Sequence, residues 1–352
     1  MVAMSGGVDS AAAALLLRRA GAGVVGVTMR LYDAGAAPGR SCCSPATLAE
    51  AASLAASIGV PHYVLDFRDE FRAAVVEDFV AEYGRGRTPN PCVRCNALIK
   101  FDLLLARARA MGFDALATGH YVRAEYDAGR GGPVLRRGRD AAKDQSYFLW
   151  ATPRPALPYL LFPVGGLMKA EVRALLAEVA PAAAAKAESQ DVCFADDGDH
   201  ASFLGRVLGE GNAPGPIVDE DGQTLGQHRG LAFYTIGQRR GLGVSGETRR
   251  YVKEIALATN TLVLAAGPAL ECRTLRVAGV NWLVPPAGDE LRAVVMLRYR
   301  DPGATASLTR VGDDAWRVEF ERPRRAIAPG QSAAFYDGDV LLGGGVIGRT
   351  EA

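Results

Sequence analysis

Hydrophobic positions in the first 120 residues alternate between short apolar runs and longer segments with helical spacing. Three runs predict strands: Val24–Met29, His62–Leu65 and Ala115–Thr118. Between them, apolar residues three or four positions apart predict helices: from Ser44-Pro45 to Gly59, across Phe71–Phe79, and from Asn96 to Met111. This alternation is typical of an α/β domain with a parallel sheet, in which ligands bind beyond the carboxyl ends of the strands.

The pattern becomes richer in β-structure after residue 120. We predict a hairpin over 121–137, a helix over 169–180, an alanine-rich connector over 181–187, and tight hairpins at Asp221-Gly222 and Thr259-Asn260. Six further strands predict a small antiparallel β-barrel: Leu275–Trp282, Ala293–Tyr299, Ala304–Arg310, Trp316–Phe320, Ser332–Tyr336 and Val340–Ile347. Three domains are therefore expected: an α/β domain over 1–204, a small central β-rich domain over 205–265, and a barrel over 266–352.

Composition narrows the choice of function. With 352 residues, 49% of them hydrophobic, the chain can build several cores. The formal net charge of +1 excludes a uniformly basic nucleic-acid-binding protein but allows local basic patches. No apolar run approaches a membrane span and the N-terminus lacks a signal-peptide layout, so we expect a soluble, cytoplasmic protein without a membrane partner. Six scattered cysteines do not suit a secreted disulfide framework, which leaves inert, metal-binding or catalytic roles.

The segment Met4–Ser10, MSGGVDS, leads directly into a run of alanines and leucines. A short strand that turns through two glycines into a helix is typical of a phosphate-binding loop, because glycine lets the backbone approach an anion and the first helical N–H groups point at it. The loop lacks the distal Gly-Lys-Ser/Thr of a Walker motif, and therefore its phosphate-binding lysine. A Gly-Gly turn capped by Asp9 or Ser10 is the structural alternative.

The segment Thr88–Asn96, TPNPCVRCN, holds a second candidate site. Cys95 is expected at the start of a helix, where the helix dipole and nearby Arg94 or Lys100 lower the pKa of its thiol. A structural zinc site would need a second Cys/His pair, and the sequence has none at suitable spacing. Cys193, in SQDVCF, would by itself be interpreted as a buried core residue.

Six motifs occur in one chain: SGGVDS, TPNPxxxCN, ATGHY at Ala117–Tyr121, KDQSYFL at Lys143–Leu149, SQDVCF, and YTIGQRRGLG at Tyr234–Gly243. The first resembles the PP-loop of ATP pyrophosphatases. Together, in this order, they resemble the tRNA-specific 2-thiouridylases, the MnmA family, over essentially the whole length. The resemblance implies a PP-loop domain of the adenine nucleotide α-hydrolase type. It also implies ATP-dependent sulfur insertion at C2 of the wobble uridine of tRNA of the Lys, Glu and Gln type.

The resemblance also implies roles for individual residues. Asp9, Cys95 and Cys193 would be catalytic, with Cys193 receiving a persulfide. ATP would be held by Ala3, Met4, Ser5, Gly6, Gly7, Val8, Asp9, Ser10 and Gly119, with Met29 at the adenosine. Asn90, Pro91 and Cys92 would meet the target base, and two further segments would contact tRNA: Lys143, Asp144 and Gln145, then Arg298 and Tyr299.

The implied chemistry needs these parts. Adenylation of the uracil C2 oxygen makes AMP the leaving group, and release of pyrophosphate requires an anion-binding loop and Mg²⁺. The sulfur then attacks from a persulfide on Cys193, supplied by a persulfide-donating sulfur carrier or a cysteine desulfurase. Attack by the Cys95 thiolate on that persulfide would release sulfide or a disulfide. The two cysteines are 98 residues apart in the sequence, so only the fold can bring them together.

One position departs from the family pattern, because aspartate is usual where this chain has Cys92. The three cysteines Cys92, Cys95 and Cys193 are therefore an alternative ligand set for a [4Fe–4S] cluster that leaves one iron open to sulfide, as in related sulfur-inserting enzymes of the PP-loop class. Direct persulfide chemistry is the favoured hypothesis.

Local basic clusters on the two later domains form the predicted tRNA surface. They are Arg239-Arg240, Arg249-Arg250 with Lys253, Arg298-Arg300, and Arg322-Arg324-Arg325, beside the possible stacking partners Tyr234, Tyr251 and Tyr299. Two other functions compete with this interpretation. A PP-loop ligase or amidotransferase acting on a small substrate has no use for Cys95 and Cys193. A non-catalytic RNA-binding or cluster-carrying protein has no use for an intact SGGVDS loop.

Overall fold

The computed structural model describes residues 1–32, 45–186, 193–194, 200–245 and 249–351. The chain forms two compact units. The first consists of Met1–Val76, Cys92–Gly198 and Gly338–Leu342, and the second of Glu77–Pro91, Asp199–Asp337 and Gly343–Ala352. The finer division into three domains at residues 204 and 265 remains a prediction.

The strands follow one another as β1 (Val2–Ala3), β2 (Gly26–Arg30), β3 (His62–Asp66), β4 (Leu116–Ala117), β5 (Val122–Asp127), β6 (Gly132–Arg137), β7 (Leu160–Leu161), β8 (Gly215–Val218), β9 (Thr224–His228), β10 (Arg250–Ala256), β11 (Thr261–Ala266), β12 (Glu271–Trp282), β13 (Glu290–Met296), β14 (Ala304–Arg310), β15 (Trp316–Arg325), β16 (Ser332–Asp337) and β17 (Val340–Glu351).

The α-helices are α1 (Val8–Arg19), α2 (Pro45–Ile58), α3 (Arg68–Phe71), α4 (Glu77–Gly84), α5 (Pro91–Arg94), α6 (Leu105–Ala110), α7 (Lys169–Ala177), α8 (Pro181–Ala184) and α9 (His200–Leu208). Two π-helical stretches, whose hydrogen bonds span five residues instead of four, connect α3 to α4 and α5 to α6; they are Arg72–Val76 and Cys95–Leu104.

A five-stranded parallel sheet in the order β3-β2-β1-β4-β7 organises the first unit. The predicted α/β class with a parallel sheet is confirmed. α1 packs against α2 and α7, and its four consecutive alanines, Ala11–Ala14, are completely buried. Because alanine side chains are small, the neighbouring helices approach closely, and the start of α1 is fixed at the end of the central strand β1.

The second unit contains two β-structures. A four-stranded sheet in the order β10-β11-β8-β9 buries Ile217, Val252, Leu262 and Leu264. The barrel has the strand order β12-β15-β14-β13-β16-β17 and is closed by the pairing of β12 with β17. The predicted C-terminal antiparallel barrel is thereby confirmed. The predicted hairpins β5–β6, β8–β9 and β10–β11 also form.

Three helical predictions are wrong in detail. The predicted alanine-rich connector begins with the short helix α8, which starts at a proline, a residue well suited to the first helical position. Helix α9 continues past residue 205, where the helical signal was expected to fade. The helix predicted from Asn96 begins five residues earlier, at Pro91. Ser44, the predicted N-cap of α2, and the cysteine pair Cys42-Cys43 lie outside the described residues.

Candidate active site

The glycine turn, Met4–Ser10, lies between the carboxyl end of β1 and the start of α1. Gly6 has a φ of 75°, in the left-handed region that glycine adopts without strain, and Gly7 is the N-cap of α1. A side chain on Gly6 would also come within 3.2 Å of the Thr47 carbonyl oxygen. The turn therefore requires glycine, and it leaves the first N–H groups of α1 directed at a space where an anion can bind.

Serine side chains hold this turn together. The Ser5 backbone N–H donates to Ser10 Oγ at 3.2 Å, and Ser10 Oγ donates to the Gly7 carbonyl oxygen at 3.1 Å. The adjoining β1 is fixed by the neighbouring strand, because Thr28 Oγ1 donates to the Met4 carbonyl oxygen at 2.8 Å. The turn thus has its shape before any ligand arrives. Met29, the predicted adenosine contact, is half-buried in β2.

Gly119 lies directly against the first turn of α1. A Cβ atom at this position would come within 2.6 Å of the Asp9 carbonyl carbon and the Ser10 nitrogen. No side chain fits in that space. The loop after β4 therefore approaches the glycine turn at backbone distance, which places the predicted nucleotide-binding residue Gly119 beside Asp9 and Ser10.

Asp9 has two side-chain partners that both contact its Oδ1. Tyr121 OH donates to it at 2.8 Å and Lys169 Nζ at 2.7 Å. The Lys169 side chain is only 11% exposed, and the residue is the first of α7. Sequence reasoning did not single out Lys169. One feature of the sequence could have identified it: a lysine at the predicted N-terminus of a helix is unusual, because the helix dipole disfavours positive charge there.

The two cysteines of CVRC occupy different environments. Cys92 lies in the first turn of α5, directly after Pro91, whereas Cys95 begins the π-helical stretch and is only 7% exposed. The expectation of Cys95 at a helix N-terminus is therefore wrong. That expectation took Pro91 as part of a stiff segment before the helix. Proline also suits the first helical position, and the helix therefore starts at Pro91 with Cys92, not Cys95, in its first turn.

The Cys92 side chain is exposed to solvent, and many protein atoms lie around its thiol. Desolvation, followed by the negative charge of Cys193, raises the pKa of its thiol to about 11, while Lys100 acts in the opposite direction. Cys193 is thus within electrostatic range of Cys92, although 101 residues separate them in the sequence. The fold brings Cys193 to the CVRC segment.

Phe194 anchors Cys193 at this place. It is almost fully buried, and its ring meets that of Phe71 edge to face with centroids 5.8 Å apart. Such a contact buries a large apolar area and fixes the backbone of the adjacent residue. Taken by itself, the SQDVCF segment suggested that Cys193 is a buried core residue. In the structure the core residue of this segment is Phe194, whereas Cys193 is half-buried.

Lys100 carries a positive charge that acts on both Cys92 and His120. Its Nζ donates to Asn96 Oδ1 at 2.8 Å, and the buried Asn96 donates in turn to the Phe148 carbonyl oxygen at 3.2 Å. Burial, followed by the charge of Lys100, holds the pKa of His120 well below its usual value, so the imidazole is neutral near pH 7.

His120 directly follows Gly119, and its Nδ1 lies 2.6 Å from Thr118 Oγ1. The charge of Lys100 therefore acts both on Cys92 and on the residue next to Gly119, within the first unit.

The residues expected to hold Mg²⁺ and those expected to hold an iron–sulfur cluster are arranged differently. The partly exposed carboxylate of Asp9, at the mouth of the glycine turn, is the oxygen ligand that Mg²⁺ prefers, so this residue fits a magnesium ion carried by a nucleotide. By contrast, within the described ranges no three His, Cys, Asp or Glu side chains are grouped to hold a metal ion. The cluster of Cys92, Cys95 and Cys193 stays an alternative hypothesis.

The predicted tRNA-contacting segment 143–145 is largely engaged inside the first unit. Asp144 is buried and accepts hydrogen bonds from the Gly138 and Ser146 backbone N–H groups, each at 3.0 Å. Gln145 Oε1 accepts from the Tyr121 backbone N–H at 2.9 Å. These two side chains shape the loop beside Tyr121, so contact with a substrate would fall to the half-buried Lys143 and to the loop backbone.

In the second unit, the residues before Pro91 are tied to the barrel. Gln331 Nε2 donates to the carbonyl oxygens of Thr88 and Pro89 at 3.1 and 3.3 Å, and the Thr88 N–H donates to the Pro329 carbonyl oxygen at 2.8 Å. Sequence reasoning did not identify Gln331. The predicted target-base residues Asn90 and Pro91 follow directly on this fixed segment.

The turn after β13 carries the exposed Arg298 and the half-buried Tyr299. Buried Asp301 shapes this turn, because its carboxylate accepts from the Leu297 and Gly303 backbone N–H groups and pairs with Arg324 at 2.5 Å. Arg324, predicted to meet tRNA, therefore has an internal role.

Other members of the predicted basic surface fall into two classes. Arg250 and Lys253 pair with Asp219 and Glu220 at 3.8 and 2.7 Å. Arg239 and Arg240 are exposed, and neither pairs with a carboxylate in the part of the chain that the structure describes. Arg298 and four further predicted arginines, Arg249, Arg300, Arg322 and Arg325, are exposed as well. Electrostatic attraction for a phosphate backbone therefore extends beyond the YTIGQRRGLG segment.

Family models match three stretches of this chain. The tRNA methyl transferase HUP domain matches residues 1–197, the tRNA methyl transferase PRC-barrel domain residues 201–266, and the aminomethyltransferase beta-barrel domain residues 272–347. Among the helices that the structure describes, none combines the length and hydrophobicity of a membrane span.

Curated relatives are similar over nearly the whole length. A tRNA-specific 2-thiouridylase MnmA from Paramagnetospirillum magneticum is 47% identical over 99% of this chain and 94% of its own. Proteins of the same name from Magnetococcus marinus and Acidithiobacillus ferrooxidans are 44% and 46% identical, over 98% and 100% of this chain and 98% of their own lengths.

Proposed function

Because this chain belongs to the family of tRNA-specific 2-thiouridylases, we propose that it transfers sulfur to C2 of the wobble uridine of tRNA, with ATP activating the base. The observation that carries the proposal is the grouping of Cys193 with the CVRC segment in the same compact unit as the glycine turn. Nucleotide activation and thiol chemistry need these two sites close together.

In the first step, the uracil C2 oxygen attacks the α-phosphorus of ATP and pyrophosphate leaves. The N–H groups of the glycine turn and the start of α1 would hold the phosphates, and Asp9 would hold Mg²⁺. When bound, Mg²⁺ offsets the negative charge of the departing pyrophosphate.

In the second step, the terminal sulfur of a Cys193 persulfide attacks C2, the C2–O bond breaks and AMP leaves. A second thiol, Cys95 by the family pattern, then attacks the Cys193 sulfur. The S–S bond to the uridine breaks, which releases 2-thiouridine and leaves a Cys95–Cys193 disulfide. The transferred sulfur is reduced, the two thiols are oxidised, and a thiol reductant restores them. A sulfur carrier or cysteine desulfurase recharges Cys193.

The test is thiolation of a tRNA transcript with ATP, Mg²⁺ and a persulfide donor, with 2-thiouridine and AMP measured by mass spectrometry. Cys193→Ala should abolish 2-thiouridine while leaving ATP binding intact. Cys272→Ala is the matched control, since that thiol lies in the second unit and donates to the Thr274 carbonyl oxygen. Full thiolation by Cys193→Ala would contradict the proposal. AMP formation that does not require tRNA would instead indicate a small-substrate ligase.

Cys95→Ala and Cys92→Ala separate the roles of the two neighbouring thiols. Cys95→Ala is expected to trap a uridine-linked intermediate on Cys193, whereas Cys92→Ala is expected to retain product formation. An anaerobic preparation with three or more irons per chain, lost in Cys92→Ala, would favour the cluster in place of persulfide transfer.

We further propose that tRNA contacts the exposed Arg239 and Arg240. Arg239→Ala/Arg240→Ala should weaken tRNA binding and reduce its dependence on salt concentration, because each phosphate contact releases counterions. Arg292→Ala is the control, since Arg292 is exposed on the barrel but paired with Glu321. Equal salt dependence of the wild-type protein and the double variant would contradict this contact.

A further inference from the structure

The glycine turn lacks the lysine that binds phosphate in a Walker loop, yet an ammonium group lies at the turn. Lys169 Nζ is 2.7 Å from Asp9 Oδ1, although the two residues are 160 positions apart. We propose that Lys169 is the phosphate-binding cation of this nucleotide site and that Asp9 holds it in place until ATP arrives. This inference rests on the proposed use of ATP.

The backbone of Lys169 is firmly positioned. Its N–H donates to the buried Asp140 carboxylate at 2.9 Å, and Glu171 accepts from the Met168 N–H at 2.6 Å in a capping box. Just before α7, Gly165 lies so close to the Val122 carbonyl oxygen that a Cβ atom would be only 1.8 Å from it. The backbone at the start of α7 is therefore fixed, and the proposed change involves the side chain of Lys169.

Stability does not account for a lysine here. A positive charge at the first position of a helix is opposed by the helix dipole. Placing an ammonium and a carboxylate in a mostly buried pair also costs desolvation, which an apolar pair of similar size avoids. Two unfavourable terms at one side chain indicate a role in binding.

The partners of Asp9 allow an exchange of charges. Without nucleotide, Asp9 Oδ1 accepts from Lys169 and from Tyr121, whose ring lies 5.7 Å from the ammonium. With Mg²⁺ and the phosphates bound, Asp9 would hold the metal ion and Lys169 would turn to a phosphate oxygen. Tyr121 keeps its hydrogen bond to the carboxylate. Every charge then retains a partner, and no bond is broken or formed in the exchange other than these ionic contacts.

The proposal makes a specific demand on ligand binding. Lys169→Met should weaken binding of ATP and of inorganic pyrophosphate, measured by titration calorimetry with Mg²⁺, by about 10- to 100-fold, as expected for one lost hydrogen bond to a charged group. Binding of adenosine should not change. Lys169→Arg should recover part of the ATP affinity. A purely structural lysine would affect adenosine and ATP alike.

Two further variants control for folding and for charge. Lys186→Met removes an exposed lysine paired with Glu50 in the same unit and should bind ATP as the wild-type protein does. Asp9→Asn/Lys169→Met leaves no unpaired charge and should still bind pyrophosphate weakly. Unchanged ATP and pyrophosphate affinity in Lys169→Met would overturn the role of Lys169 alone. A wild-type protein that binds neither ligand would overturn the proposed use of ATP as well.

Discussion

The glycine turn and the thiol site belong to the same unit but are built in different ways. The turn takes its shape from residues within seven positions of one another, with Gly6, Ser5 and Ser10 making the contacts that define it. The thiol site depends on a residue brought from the distant SQDVCF segment and anchored by Phe194. A binding site for an anion can thus be encoded locally, whereas the meeting of two thiols is a property of the packed unit.

Gly119→Ala is the strongest test of the claim that the glycine turn is a rigid, preformed anion-binding site. The new methyl group would overlap the backbone of Asp9 and Ser10 at 2.6 Å, and a rigid turn has no room to move. We expect ATP binding to weaken by about 100-fold or more, since several hydrogen bonds to charged phosphates are lost together. Gly166→Ala is the control, because a Cβ there meets nothing within 4 Å. Equal ATP affinity in both variants would show that the turn is adaptable.

Phe194→Ala tests the second half of the comparison. Loss of the buried ring should release Cys193 from its place beside CVRC, and displacement of a reacting group by about 1 Å can cost 100-fold in rate. We expect thiolation to fall between tenfold and 100-fold while ATP affinity stays unchanged. Phe194→Leu, which keeps much of the volume, should recover most of the rate. A parallel loss of ATP affinity would mean that the two sites are not built independently.

The reactivity of Cys92 tests the electrostatic environment of the thiol site. With its pKa raised to about 11 from 9.0, the thiol forms about 100-fold less thiolate at neutral pH. Because a more basic thiolate is more nucleophilic, iodoacetamide should modify Cys92 about tenfold more slowly in the folded than in the unfolded chain. Lys100→Met should slow it further and Cys193→Ala should speed it, as followed by peptide mass spectrometry across pH 7 to 10. Lys186→Met should have no effect.

The smallest expected effect concerns His120 and stability. Its pKa is lowered in the folded state, so between that value and about 6.5 the unfolded chain binds the extra proton. The contribution of His120 to stability is therefore fully present above pH 6.5 and declines as the pH falls below it, by at most about 1.4 kcal/mol per pH unit. His120→Gln should reduce the pH dependence of the unfolding midpoint, measured between pH 7.5 and 5.5. An unchanged slope would place the acid sensitivity elsewhere.

The locally encoded features were the ones that the sequence predicted well. The α/β sheet, the helix after the glycine turn and the barrel all follow from periodicity and turn residues. The start of α5 was within reach, since the rule that placed Pro45 at the first turn of a helix applies equally to Pro91. Nothing local predicts that Lys169 reaches Asp9, that Phe194 packs on Phe71, or that Asp301 takes Arg324 away from the surface. These pairings arise only when distant segments pack.

The π-helical stretch Cys95–Leu104 also escaped prediction, because its apolar spacing resembles that of an ordinary helix. It can be described as an α-helix into which one residue has been inserted. The insertion widens the helical turn and changes the direction of the side chains that precede it. Deleting a single residue between 97 and 103 would restore the tighter coil but rotate everything before it by about 100° around the helix axis. Cys92 would then be turned away from Cys193, so the evolutionary loss of one amino acid here would leave a regular helix and an inactive enzyme.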